Sequence, residues 1–160
     1  MTDHVSTIRL ATVADVEDLD ALDHVAAAGD AARSAAIRAH VAGGFCWVHA
    51  VRDHLDAYAV LLPHHFLGRD FVDLLMVGSS VRRTGVATKL LRALLRMEGT
   101  DQVFTSTNRS NTPMRELLKN EGWEFSGELD GLDAGDPEMF FFTRRSQPDR
   151  RIQDTPARSA

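Results

Sequence analysis

The segment from Asp73 to Thr88 carries the most legible chemistry in this chain. It reads Asp-Leu-Leu-Met-Val-Gly-Ser-Ser-Val-Arg-Arg-Thr-Gly-Val-Ala-Thr. An apolar strand runs into a short loop with two arginines and a glycine, and a leucine-rich helix follows. The first-turn N–H groups of such a helix have no intrahelical acceptor and point into the loop. The helix dipole adds about half a positive charge at the same end. Gly85 has no Cβ, so a ligand can approach the backbone closely. Arg82 and Arg83 add fixed charge, and Thr88 adds a hydroxyl one turn in. Together these describe an anion site suited to a phosphate or diphosphate.

Two familiar phosphate motifs do not fit. A nucleoside-triphosphate loop needs four residues between its glycines and then a lysine; Gly78 and Gly85 enclose six residues, and Val86 follows. The dinucleotide fingerprint needs three glycines, and here Gly85 stands alone with Ala87 two residues on. Metal chemistry has no pattern either. The seven histidines are scattered, there is one cysteine, and His49 and His54 are five apart with no paired-histidine helix motif.

The anion site needs a strand to end, a loop to turn and a helix to begin, and the flanking pattern supplies all three. Phe71–Val77 is nearly all apolar and reads as a central strand buried on both faces. From Val86 to Met97, Val86, Leu90, Leu91, Leu94 and Leu95 recur at helical spacing, with Gly99 just past the end. Upstream, Ser6–Leu10 reads as a strand. Thr12 can cap a helix through its hydroxyl, and that helix carries Val13, Val16, Leu19 and Leu22 on one face. Ala31–Val41 reads as a second helix stopped by Gly43-Gly44. Phe45–Val51 and Ala57–Leu62 read as a hairpin, with Pro63-His64-His65 ending the second strand. Downstream, Gln102–Thr107 is a strand. Asn111 or Thr112 caps a helix with Pro113 in its first turn, and its inner stripe is Met114, Leu117 and Leu118. Trp123–Leu129 and Met139–Thr143 are the last two strands. The order β-αα-βββ-α-β-α-ββ predicts an α/β fold, a single domain over residues 1–145 with a mixed β-sheet flanked by helices. Residues 146–160 have Ile152 as their one strongly apolar side chain, and a tail without structure is expected there.

Composition bounds the partners. The chain has 160 residues, 44% of them hydrophobic, and 18 Lys+Arg against 23 Asp+Glu give a net charge of −5. A mildly acidic chain is a poor candidate for binding a nucleic-acid backbone. A lone Cys46 makes no internal disulfide. No apolar run approaches the roughly 20 residues of a membrane span, and the first residues do not read as a signal, so a soluble cytoplasmic protein is expected.

At Arg82-Arg83-Thr84-Gly85-Val86-Ala87 the sequence resembles the GNAT superfamily of acyl-CoA-dependent N-acyltransferases, whose loop reads [Q/R]xxGx[G/A] between a strand and a helix. A second segment, Asn111 to Trp123, is similar to the family's next motif, with Asn111, Leu117, Gly122 and Trp123 in register. The resemblance implies acetyl-CoA as co-substrate, with no metal. It implies that the backbone of Leu75, Met76 and Val77 pairs with the pantetheine arm. The amides of Arg83, Thr84, Gly85, Val86, Ala87 and Thr88, beside the charge of Arg82, would cradle the diphosphate, and Asn111 would touch the arm near the thiol. The family's thiol-protonating tyrosine falls on Leu118, and the one tyrosine, Tyr58, lies on an earlier strand. A water, Ser110, Thr112 or no dedicated acid are the alternatives.

For the catalytic base, Asp73 is the first candidate. It is the one charged residue inside the expected strand, and alternation puts it on a face with Leu75 and Val77, where the acyl group would lie. A carboxylate buried there would titrate high enough to take a proton near neutrality. His64 and His65 are second candidates, and pairing with Arg69 is the structural reading of Asp73. Glu128, Asp130, Asp133, Asp136 and Glu138 place five acids within eleven residues, either as a solvated hairpin loop or as a lure for a cationic acceptor. The expected activity is transfer of an acetyl group to a primary amine, with a small cationic acceptor. The alternatives are a non-catalytic acyl-CoA sensor, or a toxin acetylating aminoacyl-tRNA. Pairing with a second copy through Phe140-Phe141-Phe142 stays open.

Overall fold

The computed structural model describes residues 5–145. The expectations for residues 1–4 and for the 146–160 tail lie outside them. The elements are β1 (Ser6–Leu10), α1 (Val16–Leu22), α2 (His24–Ala27), α3 (Ala31–Ala42), β2 (Cys46–Val51), β3 (His54–Phe66), β4 (Arg69–Val77), α4 (Val86–Leu95), β5 (Gln102–Asn108), α5 (Thr112–Asn120), β6 (Glu124–Leu129) and β7 (Glu138–Arg144). One seven-stranded sheet has the order β1-β2-β3-β4-β5-β7-β6. Only β4 and β5 pair in parallel; every other neighbouring pair is antiparallel. The predicted α/β single-domain architecture is the one observed.

Each face of the sheet buries an apolar layer. Leu19, Ile37, Val41, Val48, Tyr58 and Val60 form the layer beneath α1, α2 and α3. Val86, Leu90, Leu91, Leu94, Val103, Leu118 and Trp123 form the layer beneath α4 and α5. Strand alternation divides β4 between them: Leu74 and Met76 pack on the first, Leu75 and Val77 on the second. Phe141 enters the second layer. Phe140 and Phe142, on the other face, stack with Phe66 and Phe104 at centroid distances of 5.4 and 5.5 Å.

Several local expectations are corrected. Thr12 is the N-cap of a 3-10 turn over Val13–Asp15 and forms a capping box with Asp15, whose carboxylate accepts the Thr12 amide at 2.7 Å, the Thr12 hydroxyl and two bonds from Arg9. The first helix breaks at Asp23, whose side chain accepts the amides of Val25 and Ala26 and so starts α2. Strand β3 does not end at Pro63-His64-His65 but continues to Phe66. Between Leu62↔Phe71 and Phe66↔Arg69 its ladder is irregular, so no amide is required at Pro63.

The closed end of the sheet is held by a buried ion pair. Arg145 and Asp70 meet at 2.6 Å with side chains 8% and 1% exposed. The same guanidinium donates to the carbonyls of Leu94, Met97 and Thr100. Asp70 also accepts the amides of His64 and Thr100. Burial pushes the Asp70 carboxyl up, but these amides and Arg145 outweigh it and hold the group below its ordinary value. No helix among the described residues is long and apolar enough to cross a membrane.

Candidate functional site

Strands β4 and β5 touch over three residues only: Asp70↔Val103, Phe71↔Phe104 and Val72↔Thr105. The Thr105 hydroxyl closes the last rung by donating to the Val72 carbonyl at 2.8 Å. Beyond it, Leu74 to Val77 keep partners on β3 alone, and Ser106 to Asn108 keep partners on β7 alone. The edge of β4 that faces β5 is therefore open from Asp73 to Val77, roughly 13 Å of strand. A polar backbone edge without a ladder calls for another partner.

The divergence coincides with a bulge. Val60 pairs with Leu74 and Leu61 with Val72, so Asp73 is the extra residue on β4. The bulge cancels the alternation expected at this point. Asp73 does not share a face with Leu75 and Val77; it turns to the side of α1–α3, where its Oδ2 lies 3.6 Å from His40 Nε2 on α3. Its side chain is 36% exposed, so the burial expected of it is absent. Nor is it the one charge on the strand, because β4 also contains Asp70. Arg69 does not pair with it and donates to the Leu67 carbonyl.

The open edge leads straight into the arginine loop. Gly78 is anchored by its amide to the Asp56 carbonyl at 2.8 Å, and a 3-10 turn spans Ser79–Val81. The Thr84 hydroxyl donates to the Val81 carbonyl at 2.6 Å and tightens the turn. Gly85 sits at φ +83°, a left-handed conformation that favours glycine, and it opens α4 without a side-chain cap. The Gly85 carbonyl accepts the Lys89 amide, so the amides of Val86, Ala87 and Thr88 precede the first intrahelical bond. Arg82, Arg83, Thr84 and Gly85 are exposed, and neither arginine has a partner among the described residues. A Cβ built on Gly85 meets no atom within 4 Å, so the space above the loop is free. Uncapped amides, open space and two uncommitted guanidinium groups fit a diphosphate.

The remaining candidates divide. Asn111 caps α5 by accepting the Met114 amide at 3.3 Å and donates to Thr107 Oγ1 at 3.0 Å, which ties it to β5 beside the opening. Leu118 is fully buried beneath α5, so no hydroxyl stands there. Tyr58 is also fully buried, and its hydroxyl donates to Asp23 at 2.5 Å; burial and that carboxylate push the phenol far up. Burial likewise pushes the Cys46 thiol up to about 12, which removes it as a nucleophile. His64 and His65 are exposed near the hairpin tip that starts β4, at the strand end remote from the arginine loop.

The acidic run is largely committed. Asp136 accepts both the amide and the hydroxyl of Ser110, and these bonds hold its carboxyl below the ordinary range. Asp133 accepts from Asn108, and Glu128 pairs with Arg109 at 2.5 Å. The β6–β7 loop is thus fastened to the β5–α5 loop, and Ser110 is already engaged. Cavities of about 420 Å³ by Phe45, Trp47 and Pro63, and about 670 Å³ by Glu17, Asp20 and Arg38, include no residue between Asp73 and Thr88.

Sequence reasoning missed His40 and Arg145. Each acts on a group far away in the chain, and neither carries a local motif.

No protein-family model matches the chain, and neither does any curated protein. Solved structures do match. A GNAT-family acetyltransferase from Bacillus cereus ATCC 10987 superposes with a TM-score of 0.81 at 26% identity, covering 89% of this chain and 99% of that one. The yncA protein of Salmonella typhimurium, solved with its cofactor acetyl-CoA, has a TM-score of 0.69 at 19% identity over 90% and 96% of the two chains. A ribosomal-protein-alanine N-acetyltransferase from Brucella melitensis has a TM-score of 0.66 at 20% identity over 86% and 99%. With its parallel central pair, its parted strands and these structural neighbours, the chain has the fold of the GNAT-family acetyltransferases.

Proposed function

We propose that this protein transfers an acetyl group from acetyl-CoA to the primary amine of a small cationic acceptor. The observation that carries the reading is the parting of β4 from β5 at Asp73 and its continuation into the uncapped start of α4. The arginine loop holds the diphosphate through the amides of Arg83 to Thr88, with Arg82 and Arg83 adding charge. The open backbone of Leu75, Met76 and Val77 pairs with the amides of the pantetheine arm as an added strand would. A backbone N–H at the Asp73 bulge would meet the thioester carbonyl and the oxyanion that develops on it. Asn111 borders the arm from the β5 side. Asp73 assists the removal of the acceptor's proton. The departing thiolate takes its proton from the acceptor nitrogen or from water, because Leu118 offers none and Ser110 is bound to Asp136.

Asp73 and the acids Asp130 and Glu138, which have no ion-pair partner among the described residues, favour a positively charged acceptor. Calorimetry with acetyl-CoA, followed by thiol release against a panel of amines, tests the reading. Binding with amine-dependent thiol release is expected. Binding without release by any amine replaces transfer with sensing, which the buried Leu118 favours. No binding overturns both.

A further inference from the structure

We propose that His40 takes the acceptor's proton and that Asp73 holds its imidazole for the task, a proposal that rests on the acyl-transfer reading above. His40 lies near the C-terminal end of α3, and its Nε2 stands 3.6 Å from Asp73 Oδ2, with the two side chains 18% and 36% exposed. The contact joins residues 33 positions apart. Val72 packs beneath α4, so Asp73 next to it turns to the opposite side, and the bulge lets it share that side with Leu74. The pair therefore stands at the very residue where β4 leaves β5, on the face opposite α4. A thioester arm laid along β4 from Val77 ends beside it.

The other charged groups around α3 are committed elsewhere. On α3 itself, Arg38 pairs with Asp20 at 3.1 Å, and Arg33 lies 3.8 Å from Asp23. On β3, Tyr58 is bound to Asp23. On β4, Asp70 is closed by Arg145. On β2 and β3, buried His49 and Asp56 face each other at 3.4 Å. Asp73 is thus the carboxylate that His40 meets, and no other partner reaches the imidazole among the described residues.

The chemistry favours the imidazole over the carboxylate. Carboxylates ordinarily titrate near ~4 and imidazoles near ~6.5, and a base works best close to the operating pH. With Nε2–H directed at Asp73, Nδ1 carries the free lone pair. The separation of 3.6 Å is loose for a hydrogen bond, as catalytic contacts are before substrate binds. The ammonium of the acceptor gives one proton to His40 Nδ1. The freed amine forms the C–N bond as the C–S bond breaks, the second nitrogen proton passes to the departing thiolate, and the imidazolium returns its proton to solvent.

The test uses the full chain, acetyl-CoA and the most active amine of the panel, with thiol release as the readout. His40→Gln is expected to lower kcat/KM about a hundredfold or more at neutral pH, with the KM for acetyl-CoA unchanged. It also flattens the acid limb of the pH profile. Asp73→Asn is expected to lower the rate roughly tenfold and displace the midpoint of that limb. Added imidazole partly restores His40→Gln. His40→Asn serves if the first variant melts early. A wild-type rate and limb in His40→Gln overturn the dyad, as does a lower rate with the limb unmoved, which makes His40 structural. No thiol release by the wild-type chain with any amine overturns the transfer reading, and the dyad with it.

Discussion

The two ends of β4 meet arginines in opposite ways. At the start of the strand, Arg145 is 9% exposed and spends its donors on Asp70 and on the carbonyls of Leu94, Met97 and Thr100. At its far end, Arg82 and Arg83 are exposed and meet no partner among the described residues, beside helix amides that also have none there. A guanidinium with its donors met inside the protein is structure, since buried polar groups are stable only when paired. A pair of free guanidinium groups beside uncapped amides holds binding capacity in reserve. The ladders tell the same story: β4 is paired on both edges at Phe71 and Val72 and on one edge from Leu74 to Val77.

Breaking the closed end carries the largest expected effect. Arg145→Ala leaves Asp70 buried without its counter-charge, which costs about 3–5 kcal/mol. In a domain of this size that lowers the melting temperature by roughly 10 °C. Arg82→Ala leaves the melting temperature unchanged, and equal losses in the two variants would erase the contrast.

Gly85→Glu attacks the open end. It puts a side chain at φ +83° and a negative charge over the diphosphate site. Acetyl-CoA affinity is expected to fall at least about a hundredfold, or roughly 2.7 kcal/mol, by calorimetry. Undiminished affinity would remove the loop from the site.

The pH dependence of stability sharpens the closed end further. Asp23 and Asp70 are both held below their ordinary value: burial raises each, and hydrogen bonds with nearby cations lower each further. A carboxyl depressed in the folded chain stabilises it above the unfolded value, and that contribution is lost as pH falls through the folded value. The melting temperature should therefore stay level from neutrality to about pH 4 and decline below it. Asp70→Asn should flatten part of the decline. A decline already under way near pH 6 would point to a histidine instead.

The smallest effect belongs to single arginines of the loop. Arg82→Ala or Arg83→Ala should weaken acetyl-CoA binding roughly fivefold, about 1 kcal/mol, and reduce its sensitivity to salt. A salt dependence unchanged by either substitution would place the diphosphate elsewhere.

The parts of this contrast were unevenly legible in the amino-acid sequence. The arginine loop could be read because its elements are local: a strand end, a glycine and an uncapped helix start lie within one segment. The helix periodicities and the central strand followed from spacing in the same way. The face of Asp73 could not be read, because alternation assumes a regular ladder and the bulge depends on how β3 aligns with β4. His40 lacked a signal because its partner lies on another element. Arg145 lacked one because its partner Asp70 is 75 residues away and lies just before the strand expected at Phe71. The acidic run looked like a free charged surface, yet Asp133, Asp136 and Glu128 are bound to residues 108–110.

The most direct test of the central claim follows the backbone amides by NMR as acetyl-CoA is added to the full chain. The largest shifts, and new protection from exchange, are expected at Arg83 to Thr88 and along Asp73 to Val77, with Asp70 and Arg145 unmoved. Quiet amides at both segments, or shifts gathered around Trp47 and Phe45, would contradict the account.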